Sequence, residues 1–259
     1  MLENWHIYDH YGYALIAVVG TMVVVAVIQW LIQWSRWAPW ARSLHGVAPP
    51  FINIVGVLFG LTLAFLANDT WSAHDRAMKA VYKEAYALHS MVTLSEQLPD
   101  PMRGLLREAL AGYAAASARE WPLLAQRAES PEVVNRGDAL LKFLASREVQ
   151  QAAGENVQAL MLSKANDICD ERDQRIALSR THVNPLKWLG MGFLGLLTLL
   201  SVAVVHVDRP RAAFVSIILF ALAAAPTAAI VLIQGNPFQP PTAVTPAPIE
   251  AAVAGILAR

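Results

Sequence analysis

Few residues of this chain are spaced for chemistry. His6, Asp9 and His10 set two imidazoles one helical turn apart with a carboxylate between them, the beginnings of a metal site. Histidines beside an apolar run serve equally as interfacial residues, so no metal is assigned to them. His74 falls in an apolar pattern, where a hydrogen-bonded core or interface role is the plain reading. No Ser-His-Asp order, nucleophile elbow, phosphate-binding glycine loop, C-x-x-C or H-E-x-x-H pattern occurs. An enzyme is therefore not expected, and no cofactor is implied. Cys169 is the single cysteine, so an intrachain disulfide is excluded.

Two other sets of residues are placed more suggestively. In the apolar stretch Phe51 to Ala67, Asn53, Gly56, Gly60, Ala64 and Ala67 make a small face, and Ile52, Val55, Phe59, Leu63 and Leu66 a bulky one. Small residues one turn apart let helix backbones approach closely, and a polar Asn at membrane depth faces protein or water rather than lipid. Packing within one chain uses such faces as readily as a pore does. Asn53, Gly56, Phe59, Gly60 and Leu63, with Asn68 and Asp69 at the exit of the stretch, are the candidates for lining a pore or a subunit seam. The second set is charged. If the helix leaving the membrane near Asn68 and the one returning near Leu186 both run straight, residues equally far out lie at equal height. Glu84, Arg172 and Arg175 then stand roughly 24, 21 and 17 Å out at helical rise, so Glu84 is expected to pair with Arg172 or Arg175. Asp75 and Arg180 are expected to meet by the same argument.

These groups are positioned by long apolar stretches. Gly12 to Leu31, Phe51 to Ala67, Trp188 to Val207 and Ala212 to Gln234 are each 17 to 23 residues, long enough to cross a bilayer. Trp30, Trp34, Trp37 and Trp40, with Arg36 and Arg42, suit a headgroup-level belt after the first of them. The first stretch has no basic residue before it and no small-residue cleavage site after it, which reads as a retained anchor rather than a signal peptide. Between the second and third stretches everything reads as helix. Trp71, His74, Met78, Val81, Ala85, Leu88 and Val92 recur at coiled-coil spacing, a seam for a subunit contact or for burial inside the domain. Asp100 and Pro101 fit an N-cap and first turn, Pro122 and Pro131 restart helices, and a last helix runs from about Gln150 to His182. After Asn236-Pro237-Phe238, Ile249, Val253, Ile256 and Leu257 share one face of a short helix lying against bilayer or domain.

Charge follows the same division. Of 259 residues, 56% are hydrophobic and only 15% charged. Thirty of the 40 charged side chains lie between Asn68 and Pro185. A charged middle between charge-poor flanks excludes an ordinary soluble globule. Zero net charge without a basic block excludes a nucleic-acid partner. The expected fold is an all-α membrane protein: transmembrane helices 1 and 2 in 1–67, a helical extramembrane domain in 68–185, helices 3 and 4 in 186–235, and a proline-rich segment with a short amphipathic helix in 236–259.

Phe59-Gly60-Leu61-Thr62-Leu63-Ala64-Phe65 running to Trp71, Glu84-Ala85, Leu98-Pro99, Tyr113 ahead of Glu120-Trp121-Pro122, Arg172 with Arg175, and Asn236-Pro237-Phe238 form an ordered series. Together they resemble the bacterial bestrophin-like family of four-span membrane proteins. The resemblance implies kinship to bestrophins, homo-oligomeric ion channels with a helical domain between spans two and three. It implies a multi-pass protein of the cell (inner) membrane, with the lipid bilayer, its own copies and inorganic ions as partners, conducting ions passively along an axis lined by the second span. A clustered acidic calcium clasp is missing, so calcium gating is not implied. The alternative is a non-conducting, membrane-anchored helical module that binds a partner or senses. Orientation signals conflict. Arg36, Arg42, Arg209 and Arg211 in the short loops place those loops in the cytoplasm and the domain outside. Arg76, Lys79, Lys83, Arg172, Arg175, Arg180 and Lys187 flanking the membrane ends of the domain, and the bestrophin layout, favour the reverse; the short-loop count is preferred.

Overall fold

A computed structural model describes residues 5–36, 38–43, 48–180 and 185–257. Trp37, Arg259 and the side chains of His6, Asp9, His10 and Arg42 lie outside the described residues. Among the described residues the secondary structure is helical throughout: α1 Trp5–Gln33, α2 Ala38–Ser43, α3 Ala48–Ser95, α4 Met102–Arg119, α5 Trp121–Ala125, α6 Pro131–Leu144, α7 Arg147–Ala153, α8 Glu155–Arg180, α9 Pro185–Val205, α10 Pro210–Ile233 and α11 Ala247–Leu257. The chain divides into two compact units. One comprises residues 1–72 and 182–235, the other 73–181 and 236–259.

The first unit holds helices long and apolar enough to cross a membrane: Ala14–Gln33, the apolar part of α3 from Phe51, Leu186–Val205 and Pro210–Ile233. Their outward residues are large and apolar (Leu15, Val19, Phe193, Leu219 and Leu222 are all more than half exposed), an exterior that suits hydrocarbon and not water. Trp30, Trp34 and Trp40 are also exposed. Inside, Val25, Ile28 and Ile32 of α1 pack with Leu199, Ala203, Ile217 and Ala221 of α9 and α10. Phe59 and Leu66 of α3 pack with Met191, Ala228 and Val231.

The second unit has a continuous apolar core in which Leu88, Met91, Leu106, Leu110, Leu124, Leu140, Leu144, Met161 and Ile168 are fully buried. Pro122 and Pro131 occupy first turns, where a missing N–H costs nothing. Three expectations change here. Met102 opens α4 with Pro101 at the cap position, because the Asp100 carboxylate is taken by Arg103 at 2.6 Å rather than by backbone N–H groups. The expected helix from Gln150 to His182 is two helices. Gly154, at φ +80°, ends α7 in a conformation that other residues resist, and α8 starts at Glu155. The seam is also displaced. Val81, Leu88 and Val92 are buried, but Trp71 and Met78 are exposed, and the buried stripe passes through Ala73, Ala77, Ala80, Glu84, Leu88, Met91 and Ser95. Alanines admit close helix approach, so the smallest side of α3 is buried rather than the most apolar-looking one. Leu88 is 0% exposed within the single chain, so its contacts are not those of a subunit seam.

The tail belongs to this unit. Asn236 Nδ2 donates to the Leu124 carbonyl at 3.1 Å, Gln239 Nε2 to that of Ala125 at 2.8 Å, and Trp121 Nε1 to that of Val244 at 2.6 Å. The second satisfies a carbonyl at the end of the five-residue α5, while the Leu124 carbonyl also accepts the Arg127 N–H at 3.0 Å. Ile249 and Ile256 of α11 are buried, whereas Leu257, expected on the same face, is exposed.

Candidate functional site

In the helical domain, α3, α4 and α8 bring four charged side chains into the interior. Arg175 and Glu84 are both 0% exposed and meet as a fork, Nε to Oε2 at 2.7 Å and Nη2 to Oε1 at 3.1 Å. Arg172 meets Glu120 in the same way, at 3.1 and 2.5 Å. Parallel N–H···O bonds of this kind are the strongest arginine–carboxylate geometry. The remaining capacity is almost used up. Ser117 Oγ donates to Glu84 Oε1 at 2.8 Å and accepts from Arg175 Nη2 at 2.7 Å, and the Tyr113 hydroxyl donates to Glu84 Oε1 at 3.3 Å. Glu120 also accepts the Ser130 N–H at 2.8 Å. Arg175 Nη1 is the exception and has no hydrogen-bond partner. The guanidinium instead lies 4.7 Å from the centre of the Trp121 ring, whose π face attracts the cation. Phe238 meets the same Trp edge-on, at 5.8 Å and 87°.

Electrostatics fit a locked core and not a reactive one. Burial, and then the neighbouring charge of Glu84, push the Tyr113 hydroxyl well above its ordinary pKa, so it stays a neutral donor. Burial opposes the charge on Arg172 most strongly, but its hydrogen bonds to Glu120 and the charge of that carboxylate, with smaller help from Tyr113 and Asp173, together raise its pKa. Burial, helped by Asp173, pushes the Cys169 thiol up, which keeps it protonated and poorly nucleophilic. Among the described residues no group of three or more His, Cys, Asp and Glu side chains converges as a metal site would require.

The role of α4 was not evident from spacing along α3 and α8. Arg172 takes Glu120, a residue given no partner by the height argument, and Ser117 completes the Glu84 site. A signal was present: Tyr113, Ser117 and Glu120 recur at i, i+4, i+7, a polar line along a helix otherwise rich in Ala and Leu. The expected Asp75–Arg180 contact is corrected. Asp75 pairs with Lys79, one turn away on its own helix, at 2.6 Å, and Arg180 with Glu129 at 3.4 Å. An i, i+4 partner is always within reach of an exposed carboxylate, and a partner on another helix is not.

In the spanning unit α3 shows two unlike faces. Val55, Phe59 and Leu66 are buried, and Phe59 sits so near Gly195 that a Cβ there would lie 3.2 Å from its ring. Phe220 is stacked at a tilt 5.4 Å away. Phe59 therefore belongs to packing within the chain, a correction to its place among pore-lining candidates, and Leu63 is half-buried against the same cluster. Asp69, also exposed, pairs with Lys187 at the start of α9, at 2.6 Å. Asn53, Gly60, Ala64 and Asn68 are exposed and Gly56 is half-buried, with nothing within 4 Å of a Cβ built on either glycine.

Part of the series that carried the resemblance is thus scattered in sequence but adjacent in space: Glu84, Tyr113, Glu120, Trp121, Arg172, Arg175 and Phe238 form one connected core. The fold is similar to a bacterial bestrophin homologue from Klebsiella pneumoniae, of which one single-substitution variant is 13% identical with a TM-score of 0.66, covering 96% of this chain and 98% of the other. A second variant is 14% identical with a TM-score of 0.63, over 97% and 98% of the two chains. The form solved by zinc phasing is 13% identical with a TM-score of 0.64, over 95% and 96%. No curated protein matches by sequence. The model of the Bestrophin-like domain matches residues 19–249, from within the first span to α11, and so takes in both units. On that match, this chain belongs to the Bestrophin-like family.

Proposed function

We propose that copies of this chain assemble about an axis in the membrane and conduct ions passively along it, with the small face of α3 lining the path. The observation that carries the proposal is the exposure of Asn53, Gly60, Ala64 and Asn68 on a helix whose opposite face is packed. A polar amide turned to hydrocarbon is costly, so this face calls for protein or water. Its small side chains allow both close subunit approach and a water-filled gap. Asn53 and Asn68 flank the apolar Gly60 and Ala64 on this face, and an apolar constriction between polar groups can wet and dewet. The kinship to bestrophins supports the same reading. Purified protein in liposomes should pass ions faster than empty vesicles, and Gly60→Leu should reduce that flux while the assembled mass is retained. An assembled protein with no flux above empty vesicles would favour the non-conducting anchor for partner binding or sensing.

A further inference from the structure

The spanning unit contains a cavity of about 260 Å³. Its floor is formed by Phe59 of α3, Met191 and Leu199 of α9, and Phe220 of α10. Its rim carries Ile16 and Gly20 of α1 and Gly192 and Leu196 of α9, all exposed, so it opens outward between those two helices. No charged residue lines it. Its one side-chain hydroxyl, that of Thr21, donates its proton to the Ala17 carbonyl at 2.7 Å, which leaves it no donor for a polar ligand. Glycines help to make the space, because nothing lies within 4 Å of a Cβ built on Gly20 or Gly192.

We infer that this cavity holds the end of one acyl chain of a bilayer lipid, inserted between α1 and α9. The mouth lies on helices apolar enough to cross a membrane, so what it meets is hydrocarbon. An apolar cavity of roughly 150 Å³ stays dry and accepts benzene. Scaled from benzene, this one accommodates roughly ten carbons. It is too small for a helix, which is roughly 10 Å across. Left empty, its lining would forfeit dispersion contacts on one side, and a flexible chain end restores them without any polar group to satisfy. A second copy has a different place to bind. The α3 surface proposed above to face other subunits carries Asn53 and Gly60, whereas the cavity is reached at Phe59 on the packed face. The inference rests on the four helices crossing a bilayer and not on ion conduction.

Photolabelling in vesicles tests it directly. Protein is reconstituted in phosphatidylcholine bearing a diazirine near the methyl end of one chain, irradiated, digested and mapped by mass spectrometry. Adducts should concentrate on Met191, Phe220 and Ile16 over Leu219 and Leu222, which are exposed and do not line this cavity. Gly192→Leu sends a side chain into the open space and should abolish the cavity adducts while leaving those on Leu219. In detergent, added phosphatidylcholine should raise the melting temperature of the wild type more than that of Gly192→Leu. The wild-type map decides the matter even where the variant folds poorly. Adducts spread evenly over Leu219, Leu222 and the cavity residues, or absent from the cavity, overturn the inference. So does efficient cross-linking of Ile16→Cys between copies in a Cys169→Ser background, because protein would then cover the mouth. Loss of ion flux in any of these proteins bears only on conduction.

Discussion

In the helical domain Glu84, Glu120, Arg172 and Arg175 are at most 5% exposed, and each finds an opposite charge inside the same chain. Among the described residues of the spanning unit no charged side chain is buried, and Asn53 and Asn68 of α3 are turned outward beside glycine and alanine. The contrast separates two kinds of incompleteness. Buried charge is tolerable only where its partner is fixed, so the domain has to be finished within one chain. A small polar face in a membrane helix can be finished by something the chain does not itself provide. Sequence changes should therefore act on folding in the first region and on assembly in the second.

The largest expected effect breaks the domain side of this contrast. Glu84→Gln leaves Arg175 buried without its counter-charge, a loss of about 3–5 kcal/mol when a buried pair is broken. Glu96→Gln on the same helix is the control, since Glu96 is half-exposed and meets Arg107 only at 3.9 Å, a contact worth about 0–1 kcal/mol. Thermal melts followed by circular dichroism should separate the two clearly. Equal shifts would mean that the Arg175 charge is not isolated by the change. The double variant Glu84→Leu/Arg175→Met should recover much of the loss, because replacing both members of a buried pair is often nearly neutral.

Two glycines in the spanning unit sharpen the other side. Gly195→Leu drives a side chain against the Phe59 ring, and overpacking of that kind costs about 1–3 kcal/mol. Gly60→Leu meets nothing within 4 Å in the single chain. Its melting temperature in a dissociating detergent should stay near that of the wild type, while native mass spectrometry shows fewer assembled copies. If Gly60→Leu instead lowers the melting point and leaves assembly intact, the open face is closed within the chain.

How far these features were legible follows from their physical range. Spans and helix restarts are local. An apolar run of about 20 residues or a proline in a first turn acts on its own neighbourhood, and both are plain in the sequence. The all-helical fold with four spans follows from such signals. The charged core is not local. Equal height along α3 and α8 nominates Glu84, Arg172 and Arg175 together, but the choice among them is made by the end of α4, where Ser117 takes Arg175 and the C-cap Glu120 takes Arg172. The seam on α3 was misplaced because apolar spacing counts Met78 and ignores Ala77 and Glu84, the residues the neighbouring helices actually cover. In the spanning unit both faces of α3 could be drawn, yet only the partner glycine at position 195 shows that the bulky face is the covered one. The tail was hardest of all, since its contacts are hydrogen bonds to the carbonyl ends of α5 that no periodicity announces.

The smallest expected effect probes one hydroxyl of the domain. Tyr113 donates to Glu84 across 3.3 Å, a long bond, so Tyr113→Phe should cost only about 0.5–1.5 kcal/mol near neutral pH. Its dependence on pH is more telling. Burial first and Glu84 second raise the folded-state pKa above that of the unfolded chain, so the folded domain binds the phenolic proton more tightly. The corresponding stabilisation is complete below the unfolded value of about 10 and is lost as pH climbs from there toward the folded-state pKa. Wild type should therefore lose stability above about pH 10, and Tyr113→Phe should lose less. The gap between the two proteins, measured by denaturant melts from neutral pH upward, narrows in that window and then changes sign. A gap that stays constant would mean that the hydroxyl titrates alike in both states, and that the domain interior around Glu84 is open to water in a way the buried fork does not allow.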